Sequence, residues 1–427
     1  MNENRKYEFI VVGSGAGGAT LAMELAKKGR AILVVERGVR KDNTGNARDV
    51  MKYYGSRGPL KSKEGTLLWR TIMAGGTTMV SCGNGARCLE EELTELGIDL
   101  EQAYSDLEKE MGIVPYDTQQ LSEGSKRILD VSKELGYKME PMPKFIDPEK
   151  CRRCGNCISG CIYGAKWTAL DFLDSAIDNG AEILYNSRVE NVIIEHGKVK
   201  GINLKDGEGQ KKIMADAIIL SAGGFGTPLI LQKSGFEEAG SNFFMDLYVN
   251  VYGVAGDLKQ TNEPSMALVD LEFKKSKGFI ISPFLHQSRM TSFFHKAGQK
   301  SALTSGDGLL GMMTKIIDEP IGHINPDGTF SKPVTEKDRK KLNEGSSITR
   351  EILVKAGVDS KSITVSRIQG AHPGGTAAIG RVVDKDLQAK VDNLFVCDCS
   401  VLPDSPGMPP ILTIAALAKR LAKTLAP

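Results

Sequence analysis

At 427 residues the chain exceeds the size at which one hydrophobic core keeps growing, so two lobes are expected. A hydrophobic content of 41% with 25% charged residues is ordinary for a globular protein in water, and a net charge of +2 supplies no field that would hold nucleic acid or an anionic membrane. No signal-like leader precedes the first apolar run and no such run reaches membrane-spanning length, so the expected location is the cytoplasm.

The stretch 7–38 reads as a complete βαβ unit. Phe9, Ile10, Val11 and Val12 suit a buried parallel strand, GSGAGG at 13–18 is a turn, 19–28 is a helix, and 31–35 is a second strand ending on Glu36. Gly13 permits the tight turn, Gly15 lets backbone approach a pyrophosphate, and Gly18 lets helix and strand pack closely. The helix N-terminus offers unpaired N–H groups to the anion. Glu36 falls where a carboxylate accepts hydrogen bonds from an adenosine ribose. FAD and NAD both use such a unit, and the unit alone does not separate them.

A polar, basic loop follows to residue 63. The segment 69–87, WRTIMAGGTTMVSCGNGAR, is a second glycine and hydroxyl cluster. Gly75 and Gly76 allow close backbone approach and Thr77 offers a hydroxyl, which suits a phosphate or a flat ring. Amphipathic packing helices are predicted over 98–111 and 122–135.

The run CRRCGNCISGC places Cys151, Cys154, Cys157 and Cys161 at the Cys-x2-Cys-x2-Cys-x3-Cys spacing of bacterial ferredoxins, in which short turns aim thiolates at one iron–sulfur cube. Structural zinc more often uses two knuckle pairs far apart, and a redox pair needs only one Cys-x-x-Cys. A [4Fe–4S] cluster is therefore expected, with zinc or a run that binds nothing as the alternatives. The proline usual after the fourth cysteine is Ile162, and in two-cluster ferredoxins that cysteine serves the other cluster. The fourth ligand is thus Cys161 or a remote thiol, Cys82 or Cys88.

Further on, a helix is predicted over 167–179, a strand over 181–185, a hairpin of 189–195 with 199–204 about His196-Gly197, and a strand over 215–221 entering a glycine turn and a helix from 229. From 236 to 367 the character changes. Segments 247–254, 266–273, 279–285 and 290–294 alternate like antiparallel strands, and 335–356 is a long helix opened by Thr335 and Asp338. Phe279, Phe284, Phe293 and Phe294 read as core rather than pocket, and His286, His295 and His323 carry no assignment. The last sixty residues again read like the first lobe, with a His372-Pro-Gly-Gly-Thr loop, a strand at 393–396 running into Cys397-Asp398, and a helix over 411–421 opened by Pro409-Pro410. His372, in a loop beside a ligand-facing strand end, is the catalytic candidate.

Together GSGAGG with Glu36, AGGTTMVSCGNGAR, SAGGFGTPLILQKSGF, AHPGGTAAIG and NLFVCDCSVLPDSPGMPPILTIAALA resemble the glucose-methanol-choline (GMC) oxidoreductase family of FAD enzymes, in the family's order. The cysteine run with GCIYGAK after it is similar to a segment of the long-chain alcohol oxidase branch. The resemblance implies an α/β fold with a Rossmann-like FAD-binding lobe at 1–235 carrying an iron–sulfur insertion at 148–166, a mixed-sheet α+β substrate lobe at 236–369, and a return to the first lobe at 370–427. It implies that Gly13, Gly15, Gly18 and Glu36 hold the adenosine diphosphate part, that Val189 lies by the adenine, Gly75, Gly76 and Thr77 by the flavin, and Asp398 near the pyrophosphate. His372 occupies the position of the family's catalytic histidine. Ser81 replaces the asparagine usual after the double glycine, and Pro409-Pro410 stand where the family places a second catalytic residue.

The expected activity is oxidation of a CH–OH group in an alcohol, polyol or sugar-like small molecule, by hydride transfer to flavin N5 with His372 as general base. Electrons would pass through the [4Fe–4S] cluster to a carrier protein such as a ferredoxin. Two alternatives are cluster-fed reduction of a C=C bond and a non-catalytic electron-transfer flavoprotein subunit.

Overall fold

The computed structural model describes residues 7–42, 44–55, 58–256, 258–284 and 308–427. The predicted strand at 290–294, with Phe293, Phe294, His286 and His295, lies outside the described residues.

Two sheets carry the architecture. In the first, of seven strands, Glu182–Leu184, Ile32–Val35, Tyr7–Val12, Gly209–Leu220 and Leu394–Val396 run parallel. Arg188–Glu195 and Lys198–Asp206 extend this sheet as antiparallel strands. The central strands are buried along nearly their whole length, which is why they read as continuous apolar runs. Helix Ala16–Ala26 is buried on all sides but one residue, held between Ala169–Asp178 and Ile411–Leu425. At Gly17 a Cβ would stand 2.0 Å from the Cys397 carbonyl oxygen, a backbone atom that cannot step aside. Gly17→Ala is therefore expected to destabilise the first lobe by about 1–3 kcal/mol, seen as a lower thermal midpoint in protein that still expresses. An unchanged midpoint would mean that the helix can shift without penalty.

The second sheet, of nine strands, is mixed, in the order Leu60–Lys61, Leu67–Leu68, Gln369–Gly370, Tyr248–Val254, Leu309–Ile316, Phe279–Pro283, Leu268–Asp270 and Met139–Pro141, with Thr364–Val365 also on Tyr248–Val254. Three of these strands come from residues 60–141, so the chain crosses between the sheets earlier than the sequence suggests. Helix Glu336–Lys355, opened by a capping box between Thr335 and Asp338, packs on this sheet.

Three local readings differ from expectation. The segment 266–273 is a short strand followed by helix Glu272–Lys277, because Asp270 Oδ1 accepts the Glu272 N–H at 3.0 Å and turns the chain. The helix predicted from 229 begins at Gly223. Pro228 is tolerated inside it because the Gly224 carbonyl, which has no N–H to meet there, accepts the Thr376 hydroxyl at 2.7 Å instead. Strand Leu309–Ile316 is not distinguished in the sequence, since all eight of its residues are buried and no alternation marks it. No helix among the described residues is long and apolar enough to cross a membrane.

Candidate active site

The parallel strands of the first sheet end at one side of a single elongated cavity of about 350 Å³, and the second sheet closes its far end. Gly13, Ser14, Gly15 and Glu36 line one end. A Cβ on Gly15 would meet nothing within 4 Å, so this backbone faces open cavity at the helix N-terminus. Gly18 is not in the lining. It stands behind the turn, where a Cβ would be 2.0 Å from the Gly13 oxygen, as close helix–strand packing requires.

Glu36 accepts the Ser14 N–H at 3.0 Å, the Ser14 hydroxyl at 2.6 Å and the Gly38 N–H at 2.7 Å, and burial raises its proton affinity against these bonds. The same Ser14 hydroxyl accepts the Gly75 N–H at 3.2 Å. Gly75 thus backs onto the turn, while Gly76, Thr77 and Ser81 line the cavity. Val189 lines it near the Glu36 end, beside Arg188 and Glu190. Asp398 accepts the Gly223 N–H at 2.8 Å, the Thr227 hydroxyl at 2.5 Å and the Ser400 N–H at 2.7 Å, tying the start of helix Gly223–Lys233 to the C-terminal segment at the cavity wall.

A dinucleotide fits this donor set. Arg70 lines the cavity over the Phe225 ring, 4.4 Å from its centroid, with its Nε buried and unpartnered. Burial, reinforced by Arg37, holds its guanidinium down to about 10. A pyrophosphate would satisfy that N–H and offset both cations.

His372 lies at the other end of the cavity, with Tyr248, Phe284 and Met313 from the second sheet. Its Nδ1 is 2.8 Å from Asp246 Oδ2, which fixes the ring and leaves Nε2 as the remaining nitrogen. Asp246 is fully buried. Its Oδ1 accepts the Gly407 N–H at 3.0 Å and lies 2.7 Å from Ser405 Oγ, which is 3.0 Å from Asp318 Oδ1, so one hydroxyl hydrogen is shared by two carboxylates. Asp318 is in turn paired with the buried Lys332 at 2.9 Å. Burial, and then Lys315, push the His372 proton affinity below its ordinary value, while Asp246 opposes them. Pro409 and Pro410 also line the cavity, which places no second titratable group at that position. His323 lies elsewhere, beside Ser241.

The cysteines form a separate feature. Cys151, Cys154, Cys157 and Cys161 line one small cavity, whereas Cys82 lines the large one and Cys88 is buried against the Thr413 hydroxyl at 3.2 Å. Among the described residues no three His, Cys, Asp or Glu side chains meet closely enough to hold a metal ion, so the expected ligand set is present as four thiols around a space rather than as a formed metal group. Two buried lysines flank it. Lys166 Nζ donates to the carbonyls of Met79, Ser81 and Cys157 at 2.8–3.0 Å, and Lys144 Nζ to Asn84 Oδ1, Ser265 O and Cys82 O. Neither ammonium has a carboxylate within ion-pair distance among the described residues, and burial pulls Lys144 down to about 8 and lowers Lys166. Burial also raises the Cys157 thiol, to about 11, against both lysines.

Sequence reasoning misses Asp246, Arg70, Lys144, Lys166 and Lys315. Each acts through partners distant in the chain; Arg70 and Lys166 stand inside the segments 69–87 and GCIYGAK, whose spacing gives them no role.

Models of GMC oxidoreductase match residues 7–248 and 322–418. The chain is 31% identical over 426 residues to an uncharacterized protein of Methanocaldococcus jannaschii, covering 98% of this chain and 100% of that one. It is 24% identical over 518 residues to a long-chain-alcohol oxidase of Arabidopsis thaliana, covering 98% of this chain and 68% of the relative. Among solved structures, a formate oxidase of Aspergillus oryzae superposes with a TM-score of 0.75 at 17% identity, covering 100% of this chain and 99% of that one. A pyridoxine 4-oxidase does so with a TM-score of 0.74 at 15% identity, covering 98% and 99%, and these two likenesses speak to the fold alone. With both family models matched across the two halves of the cavity, the chain belongs to the GMC oxidoreductase family and is an FAD-dependent oxidoreductase.

Proposed function

We propose that the protein oxidises a CH–OH group with His372 as general base, and passes the electrons through a [4Fe–4S] cluster on Cys151, Cys154, Cys157 and Cys161 to a carrier protein such as a ferredoxin. Bound FAD supplies a two-electron hydride acceptor and a bound cluster supplies one-electron transfer. The residues of the chain do the rest. Asp246 orients His372, whose depressed proton affinity keeps the ring neutral and able to take the hydroxyl proton. Residues of the second sheet, Tyr248, Met313 and Lys315, wall the cavity where the substrate would lie.

The observation that carries this reading is the shared wall between the two cavities. Ile158, between Cys157 and Cys161, lines the large cavity, and Lys166 ties the Cys157 carbonyl to that of Met79 and to that of Ser81, which lines the cavity too. Cluster ligands bind separate irons and so stand apart around a body, as these four thiols do. Lys144 and Lys166 supply positive charge that no carboxylate among the described residues offsets, suited to an anionic thiolate cluster. The test is the visible spectrum of anaerobically purified protein with its iron and acid-labile sulfide content. Equal iron and sulfide with broad absorption beneath the flavin bands is expected, followed by bleaching of both on addition of an oxidisable alcohol. Zinc in place of iron, or no metal, would remove the cluster from the scheme.

FAD retention gives a further check. Glu36→Lys is expected to weaken FAD by about 10- to 100-fold, because the carboxylate that organises Ser14 and Gly38 becomes a cation and the N–H groups lose their acceptor. The ratio of heat-released FAD to protein measures this. Release of FMN or NAD from the parent protein would contradict the cofactor assignment.

A further inference from the structure

Strand Leu309–Ile316 carries a lysine among apolar neighbours. Lys315 is 3% exposed, sits between Tyr248 and Ile280 on the flanking strands, and lines the His372 end of the cavity. Met313, two residues earlier and on the same face, lines it too, together with Met266 and Phe284. The Lys315 Nζ lies 5.5 Å from the centroid of the Tyr248 ring and has no hydrogen-bond or ion-pair partner among the described residues. A buried ammonium without a partner is costly, and a ring face offsets only part of that cost. Asp246 is the acid whose field Lys315 feels most, but its oxygens are already committed to His372, Ser405 and Gly407.

We infer that Lys315 is the binding site for a carboxylate on the substrate, which makes the substrate class hydroxy acids whose carbinol carbon stands close to the carboxylate. The inference rests on the CH–OH oxidation proposed above and adds the substrate's charge to it. A single point-charge cation in an apolar wall matches a monoanion; a phosphate would call for more donors than the described residues supply at this end of the cavity. Lys315 and His372 line the same cavity and flank one segment, Ile316 N–H donating to the Leu247 carbonyl and His372 N–H to that of Met245, so a carboxylate held by the lysine brings the adjacent hydroxyl toward the histidine. For R–CH(OH)–COO⁻ the C–H bond breaks with its electron pair passing as hydride to the oxidant FAD. The O–H proton goes to His372, a C=O bond forms, and the product is R–CO–COO⁻ with the carboxylate unchanged.

Oxamate and oxalate, which have no hydride to give, serve as probes for FAD-loaded protein, read by perturbation of the flavin bands. Lys315→Met is expected to weaken their binding by about 10- to 100-fold, and Lys315→Arg to recover most of it. FAD content and the thermal midpoint of both variants report folding. Anaerobic flavin reduction is then compared for glycolate, lactate and mandelate against ethanediol, propanediol and benzyl alcohol. The hydroxy acids are expected to react faster, with that preference lost in Lys315→Met. If neutral alcohols reduce the flavin while the carboxylates neither bind nor react, the hydroxy-acid inference is overturned and the CH–OH reading stands. If carboxylates bind through Lys315 but neither class reduces the flavin, the binding site stands and the CH–OH reading falls. Equal probe affinity in parent and Lys315→Met overturns the inference directly.

Discussion

Alanine at His372 is expected to slow anaerobic reduction of the bound flavin by about 10²–10⁴-fold while leaving FAD in place. The upper part of that range is expected because Pro409 and Pro410 leave no second titratable side chain at their position to share the proton. Gly15 and Glu36, the residues expected to hold the adenosine part, belong to the glycine turn and the end of strand Ile32–Val35 and are not altered by the change. The pH dependence follows from the directions of the shifts. Burial and Lys315 lower the His372 proton affinity, so the catalytically competent neutral ring persists below its ordinary titration near 6.5, and the rate should rise through a midpoint under that value and level off above it. Asp246→Asn removes the group that opposes the depression. It should move the acid limb lower still and also reduce the plateau, because the ring loses the acceptor that fixes its tautomer. Lys315→Met removes a depressing cation and should move the limb upward. A midpoint at or above 6.5 in the parent protein would count against His372 as the base, as would normal flavin reduction in the alanine variant.

What the sequence made legible, it did through spacing along the chain. The turn at 13–18 and Glu36 were readable because one βαβ unit contains strand, glycines, helix and acid within a few turns, and the folded arrangement keeps them together. The four cysteines were readable for the same reason. The partner of His372 was not. Asp246 is 126 residues from His372, in the left-handed region at φ 49°, and nothing local marks an aspartate there as an orienting group. Lys315 was hidden differently, on a central strand buried on both faces, where the period-2 pattern that would have announced a pocket-facing side chain does not exist. Nothing local marks Lys144 or Lys166 as buried, since burial of a lysine is decided by the tertiary carbonyls that receive it. The early crossing of the chain between sheets has no sequence signature, because two-residue strands such as Leu60–Lys61 and Leu67–Leu68 are too short to show a period.

Serine at Cys161 is expected to remove the cluster and leave the flavin. Cys161 shares its cavity with Cys151, Cys154 and Cys157, joined by loops of two or three residues, so four thiolates are brought around one body without any rearrangement. The remote thiols are otherwise engaged. Cys88 is buried against Thr413 and pushed up to about 12 by that burial, and Cys82 opens onto the flavin cavity instead. A hydroxyl is a poor ligand for iron, and three thiolates leave one iron open to loss, so Cys161→Ser should show iron and sulfide falling together while FAD per protein is unchanged. Substrate should still reduce the flavin at close to the parent rate, because His372 and Asp246 are untouched. Delivery of electrons to a ferredoxin-type carrier should fall to background. The split between these two rates is the informative quantity: a cluster that merely held the fold would take flavin reduction down with it, whereas a cluster in the electron path stops only the outward half. Retention of iron and sulfide in Cys161→Ser, with their loss in Cys82→Ser, would transfer the fourth ligand to the flavin side of the wall.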